Sequence, residues 1–300
     1  MPIFWPLSLL SVFVGEAAFL KTPLVMSAQP RKVFVTGAGG KTGGYVFRKL
    51  LKRDGFTPVG LVRSQDAAEA LKQDGASDEN LAMGDIMDKS ALEQGMQGCT
   101  ALIICTSAKP APSGETDEAT GRPIFTFPRG DPVDVDWHGQ KNQIDAAKAA
   151  GVQHVIICGS MGGTNPSHPL NNLGKKADGS GGNILQWKRK AEKYAIDSGL
   201  IYTIVHPGGL IDEAGGKREI IMDIDDALLK LESRTIPRED VAEVLVQSLV
   251  CESAKNRSVD IVTKPEGEGA VTTDFEALFK SLSGNCDYTL GVIPEEAVSR

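Results

Sequence analysis

From Arg31 onward two apolar patterns alternate along the chain. Short continuous runs, at Val33–Val35, Pro58–Val62, Asn80–Met83, Ala101–Cys105, Val155–Cys158, Tyr202–Val205 and Val259–Val262, predict strands. Runs without polar alternation, Ala101–Cys105 above all, are those expected of parallel strands buried on both faces. Between them, helical spacing begins at Lys41 and recurs over Gln65–Gln73, Asp88–Gln94, Asp134–Ala150, Asn183–Asp197, Arg238–Val250 and Thr272–Leu282. Asp88 is a suitable N-cap, and Gly151 stops the fourth of these helices. Strands alternating with helices in this way predict an α/β, doubly wound parallel sheet with helices on both faces and ligands at the carboxyl edge of the strands.

Three stretches interrupt the alternation. Residues 1–29 carry an apolar run, Ile3–Gly15, too short to span a bilayer as a helix. Gly15-Glu16-Ala17 after it has the small-x-small form of a cleavage site, although no basic segment precedes it. Ala17-Ala18-Phe19-Leu20 resembles the junction of plastid-targeted leaders, whereas Met26-Ser27 reads as a second start, which would leave a cytoplasmic protein. The second stretch, Ala108–Pro132, is rich in proline and glycine and is expected to form a structureless loop over the strand ends, where a lid on a substrate would lie. A second glycine-rich loop runs from Gly159 to Gly182. The expected organisation is one domain over 30–300, with a small substrate-side region after Leu210.

Composition narrows the partners. The 300 residues are 41% hydrophobic and 24% charged, as in an ordinary globular protein, and the net charge of -7 argues against nucleic acid. A small-molecule substrate fits better, with no stable membrane span. Five widely spaced cysteines form no C-x-x-C and several lie in apolar runs, so free buried thiols are expected. Four histidines, His138, His154, His168 and His206, show no metal-ligand spacing, and no metal site is predicted.

The chemistry begins at Lys32–Gly44, K-V-F-V-T-G-A-G-G-K-T-G-G, a strand, a glycine turn and a helix. Gly37 reverses the chain, Gly40 leaves room for a phosphate and Gly43 lets the helix pack closely, while the helix start faces the anion. No G-K-[ST] stands at the offset a P-loop requires. In NAD sites an acidic residue about 20 positions beyond the glycines binds the ribose hydroxyls; here that position is Arg63. A guanidinium there suits a 2′-phosphate, so NADP is expected over NAD, with Ser64 and Lys41 adding contacts.

With these residues in view the chain resembles an atypical short-chain dehydrogenase/reductase of the NAD(P)-binding, NmrA-like group, and is most similar to its plant and algal members. The resemblance rests on Thr36–Gly43, Gly60–Ser64, Gly84-Asp85-Ile86, Thr106-Ser107-Ala108, Asp136–Ala147, Gly159–Thr164, Trp187–Glu192 and Pro207–Leu210, and covers about 31–283. It implies a Rossmann fold and an NADP-dependent oxidoreductase acting on a small carbonyl, enone or quinone-like compound. It implies cofactor contacts at Thr36, Gly37, Gly39, Gly40, Lys41, Thr42, Gly43, Arg63, Ser64, Asp85, Ile86, Thr106, Ser107, Ala108, Lys188 and Pro207. Ser160 matches the serine that polarises a carbonyl, and Lys188, followed by Arg189-Lys190-Ala191-Glu192, matches the lysine of the Y-x-x-x-K pair. The tyrosine position is Ile184, which donates nothing. Asn142 is a candidate to orient a water toward Lys188, and His168 reads as an ordinary loop histidine. The missing tyrosine leaves a second reading open, an NADP-binding regulator or scaffold with a protein partner and little turnover.

Overall fold

A computed structural model describes Met1 and residues 30–116, 118, 121, 123–176 and 178–295. The expected leader therefore falls outside the described residues. Four strands open the chain, β1 (Arg31–Thr36), β2 (Phe56–Val62), β3 (Leu81–Met83) and β4 (Ala101–Ile104), separated by helices α1 (Lys41–Leu51), α2 (Gln65–Gln73) and α3 (Lys89–Gly95). A hairpin, β5 (Ala111–Thr116) and β6 (Pro123–Thr126), leads to α4 (Gln140–Ala149), β7 (His154–Cys158), α5 (Ile184–Asp197) and β8 (Ile201–Pro207). The last part holds β9 (Gly209–Ile211), β10 (Ile220–Asp223), β11 (Thr235–Pro237), α6 (Arg238–Gln247), β12 (Arg257–Thr263) and α7 (Phe275–Lys280).

Eight of the strands make one sheet in the order β10-β12-β8-β7-β4-β1-β2-β3. All its pairings are parallel except β10 against β12. Val33, Phe34 and Val35, with Ala101 through Ile104, are wholly buried because helices cover both faces, which is why these strands read as unbroken apolar runs. One core lies between the sheet and α1, α2, α6 and α7, through Val46, Phe47, Leu71, Val244 and Phe279. The other lies under α3, α4 and α5, through Leu92, Ile144 and Ala195. The chain leaves β1 toward β2 on one side and returns to β4 on the other. The crevice opened by that reversal lies at the carboxyl ends of β1 and β4, where such sheets hold ligands.

The doubly wound α/β class is as the sequence predicts, and three local expectations are corrected. The stretch 108–132 is not structureless: Ala111 pairs with Thr126 and Thr116 with Pro123 in an antiparallel hairpin with a register shift between. Strands so exposed carry no apolar alternation to reveal them. The helix expected over 134–150 begins instead as a wide π turn, Val133–Gly139, before α4 continues it. The segment after Leu210, where no strand is expected before Val259, supplies β10 and the β11 that pairs separately with β9. The five cysteines are free thiols, and among the described residues no helix is long and apolar enough to cross a membrane.

Residues 285–294 run back over α5. The Arg189 guanidinium donates to the Asp287 carbonyl (2.7 Å), Lys190 Nζ to the Pro294 carbonyl (2.7 Å), and the Tyr288 hydroxyl to Glu192 Oε2 (3.1 Å).

Candidate cofactor cleft and active site

β1 delivers the glycine turn to the head of the crevice. Gly37 has φ +71°, and a Cβ there would stand 2.7 Å from the Cys105 carbonyl oxygen. At Gly43 a Cβ would meet the Gly37 carbonyl at 2.2 Å, so the helix closes directly on its own turn. Gly40 N–H donates to the Gly37 carbonyl at 2.8 Å, and a Cβ on Gly40 would project past that carbonyl toward Lys109, into the cleft. These are the approaches a pyrophosphate needs at a helix N-terminus.

The cleft has two lobes. A cavity of about 270 Å3 is bordered by Gly39, Gly40, Arg63, Ser64, Asp85 and Ile86, with Thr106 and Ser107 at its inner end. Arg63 Nη1 lies 3.4 Å from Asp85 Oδ2, both half exposed. Ser64 Oγ accepts from Ala67 N–H (3.3 Å) and caps α2, while Asp85 Oδ1 accepts from Met87 N–H (3.0 Å). The second lobe, about 800 Å3, is lined by Lys41–Gly43, Cys105–Ala108, Gly159–Met161, Ile184, Lys188 and Pro207–Leu210. Lys41 Nζ pairs with the exposed Asp212, which also pairs with Arg238.

Not every predicted contact faces this space. Thr36 is wholly buried, and its hydroxyl donates to Gln143 Oε1 (2.6 Å); Gln143 in turn donates to Thr106 Oγ1 (3.2 Å). The part of Thr36 is thus to hold the strand end. Asn142 donates to the Ile86 carbonyl (3.3 Å) and braces the Asp85-Ile86 loop. The group found beside Lys188 is not Asn142 but Asp136.

At Lys188 the geometry is specific. Its Nζ lies 2.8 Å from Asp136 Oδ1, with the lysine side chain 8% and the aspartate 0% exposed. Asp136 Oδ2 accepts from Ala108 N–H at 3.0 Å. The π turn carries Asp136, and π turns of this kind gather at functional sites. Burial alone would lower the Lys188 pKa, but the Asp136 charge and hydrogen bond more than offset it, so the ammonium is held above its ordinary value. Ser160 Oγ donates to the Met161 carbonyl (3.1 Å) on the same lobe. Its loop is fixed by Asp226, whose carboxylate accepts from Gly162 N–H (2.6 Å) and Thr164 N–H (2.8 Å). Ile184 packs with Ala108, Phe127 and Leu185 as an apolar wall where a tyrosine would stand. His168 Nδ1 accepts from Leu170 N–H (3.3 Å), a capping role, at the rim.

The glycine cradle, the two lobes and the paired lysine fit a dinucleotide. The family model for NAD(P)H-binding proteins matches residues 37–252. The chain belongs to the NAD(P)H-binding family. Within it the chain is of the atypical short-chain dehydrogenase/reductase type that its motifs resemble. It is 48% identical over 278 residues to an uncharacterised chloroplast protein of Arabidopsis thaliana, covering 91% of this chain and 82% of that one. To sanguinarine reductase of Eschscholzia californica it is 45% identical over 278 residues, covering 86% and 98%. A short-chain dehydrogenase/reductase from Veillonella parvula in complex with NADP shares the fold, at a TM-score of 0.56 and 14% identity over 78% of this chain and 95% of that one.

For an NAD(P)H-binding oxidoreductase, two residues that carry weight here were not singled out in the sequence. Asp136 was legible only as part of a quoted motif, because its partner is remote. Asp226 lies in a plain acidic run, and nothing in the sequence ties it to Gly162. The thiols of Cys105 and Cys158 also line the larger lobe. Burial pushes the Cys158 thiol up to about 11 and Cys105 well above its usual value, so both stay protonated at neutral pH.

Proposed function

We propose that the chain is an NADPH-dependent reductase of a small carbonyl, enone or quinone-like compound. The observation that carries the reading is Lys188, charged and anchored to Asp136 on the floor of the larger lobe, next to Ser160 and continuous with the glycine cradle. When bound, the reduced nicotinamide supplies a hydride. Glycines 37, 40 and 43 admit the pyrophosphate, Arg63 and Ser64 take the 2′-phosphate, and Asp85 and Ile86 border the adenine. Lys188 holds the ribose, as its fixed ammonium donates three hydrogen bonds of which Asp136 takes one. Ser160 polarises the acceptor oxygen. Ile184 supplies no proton, so the proton reaches the product from water, and the apolar wall it forms with Leu185 and Phe127 favours an apolar acceptor.

The similarity to sanguinarine reductase and to a chloroplast protein supports a reductase that works in the plastid. A second reading, an NADP-binding regulator with little turnover, is favoured by Ile184 alone. Titration of the purified protein with NADPH and NADH, followed by fluorescence, and assay on quinone, aldehyde and flavin acceptors tests both. NADPH oxidation by any acceptor supports the reductase; tight binding without oxidation supports the regulator.

A further inference from the structure

Next to Ser160 and Lys188, which border both the larger lobe and a small neighbouring cavity, three side chains from distant elements meet in the interior. His206 comes from β8, Asp260 from β12 and Cys286 from the segment that returns over α5; they are 4%, 1% and 7% exposed. His206 Nδ1 lies 3.0 Å from Asp260 Oδ1, and Cys286 Sγ lies 3.6 Å from each of those atoms. From these residues we infer a binding site for one divalent zinc-class cation.

The separations carry the argument. Three atoms so spaced share a centre about 2 Å from each, against bond lengths of about 2.0–2.3 Å from zinc to oxygen, nitrogen and sulfur. The mixed nitrogen, oxygen and thiolate donor set suits zinc better than magnesium or calcium, which take oxygen.

The surroundings are those of a metal site as well. Glu192, 1% exposed, lies with Oε2 3.2 Å from His206 Nε2, the carboxylate–histidine arrangement that fixes the ring's orientation and turns Nδ1 toward Asp260 and Cys286. Tyr288 holds that carboxylate by donating to Oε2 and is itself 3.0 Å from Ser258 Oγ. Asp260 Oδ2 is taken by the Asp226 N–H at 2.6 Å, which leaves Oδ1 for the ion. Beside the three ligands is a polar cavity of about 10 Å3, bordered by Ser160, Lys188 and Asp226, room for a single water. That water completes a tetrahedral shell of three protein ligands and one solvent.

The test uses the full chain purified without chelator, and its readouts are independent of any reductase activity. Elemental analysis is expected to find about one zinc per chain. After exchange, cobalt(II) should give the intense visible bands of a tetrahedral ion and a thiolate charge-transfer band. Cys286→Ser should lose the charge-transfer band and bind zinc at least tenfold more weakly in chelator competition. Glu192→Gln should keep the band and weaken affinity by about 10–100-fold. Zinc-edge X-ray absorption of the unmutated chain, which does not depend on any variant folding, should show one sulfur and three nitrogen or oxygen neighbours. A chain that holds no zinc and takes up no cobalt overturns the inference. So does zinc retained equally by Cys286→Ser, or a shell without sulfur.

Discussion

Lys188 and Asp136 form an ion pair that water scarcely reaches, 2.8 Å long and contributed by α5 and the π turn before α4. Breaking it should cost far more than breaking a surface pair. Asp136→Asn would leave the ammonium buried beside a neutral amide, at about 3–5 kcal/mol of stability. The Lys188 pKa is raised in the folded state, so its contribution is fully present below the ordinary lysine value and is lost only as pH rises through the higher folded value. Urea unfolding of both proteins at neutral pH should show the deficit; coincident midpoints would mean that the pair is not needed to neutralise the site.

Arg63 is the residue proposed to set the choice of cofactor. Its guanidinium now leans on Asp85 at 3.4 Å, an exposed pair that costs little to break. Arg63→Asp should place a carboxylate at the proposed 2′-phosphate position and invert the preference between NADPH and NADH, read as the ratio of their dissociation constants. An unchanged ratio would remove Arg63 from that position.

Gly40 offers a steric test. A Cβ there is 3.0 Å from the Gly37 carbonyl and otherwise points into the cleft. In Gly40→Val the branched side chain should fill the pyrophosphate's space and abolish dinucleotide binding while the thermal melt stays close to the parent's. Retained affinity in the fluorescence titration would contradict the cradle.

Ile184→Tyr should place a hydroxyl four residues before Lys188, one helical turn away on the same face. General-acid catalysis of this kind contributes about 10²–10⁴-fold, so turnover of a neutral carbonyl should rise at least tenfold, even though the larger ring costs about 1–3 kcal/mol among Ala108, Phe127 and Leu185. If the variant binds NADPH and turnover does not rise, proton supply is not what limits this site.

His154 provides a pH signature. It is buried, and its pKa is lowered to about 4 by burial and by the charges of Arg31 and Lys255. Its Nε2 sits 2.9 Å from Thr203 Oγ1, whose own proton goes to the Ala254 carbonyl, so the ring is neutral and donates. The unfolded chain protonates His154 near pH 6.5 and the folded chain only near 4, so stability falls as pH is lowered between these values, by up to about 3 kcal/mol. Denaturation midpoints for the parent and His154→Gln should converge across that window as the parent weakens; parallel curves would show that His154 does not titrate as described.

The parts legible in the sequence are those whose cause is local. Val33–Val35, the glycines after it and the apolar run at Ala101 are set by burial on both faces and by a turn only glycine can make. Arg63 could be placed by counting from the glycines, and Lys188 by its resemblance to the family's lysine with Ala191-Glu192 after it. What depended on distant partners was not legible. Ile220–Asp223 shows no strand pattern of its own and becomes β10 only because β12 offers a free edge. Asp136 is indistinguishable from its neighbour Asp134 until α5 brings Lys188 against it. His206, Asp260 and Cys286 follow no motif spacing, because three separate elements converge at one point.

The residues that return over α5 also impose an order of assembly. Arg189, Lys190 and Glu192 find partners 96 to 104 residues further along the chain. While the polypeptide is being made, the glycine cradle, β1 to β4 and even α5 itself can emerge and pack, yet the helix that carries Lys188 lacks its outer cover until residues 285–294 have left the ribosome. The nascent protein thus acquires its glycine cradle well before the surroundings of Lys188 are finished.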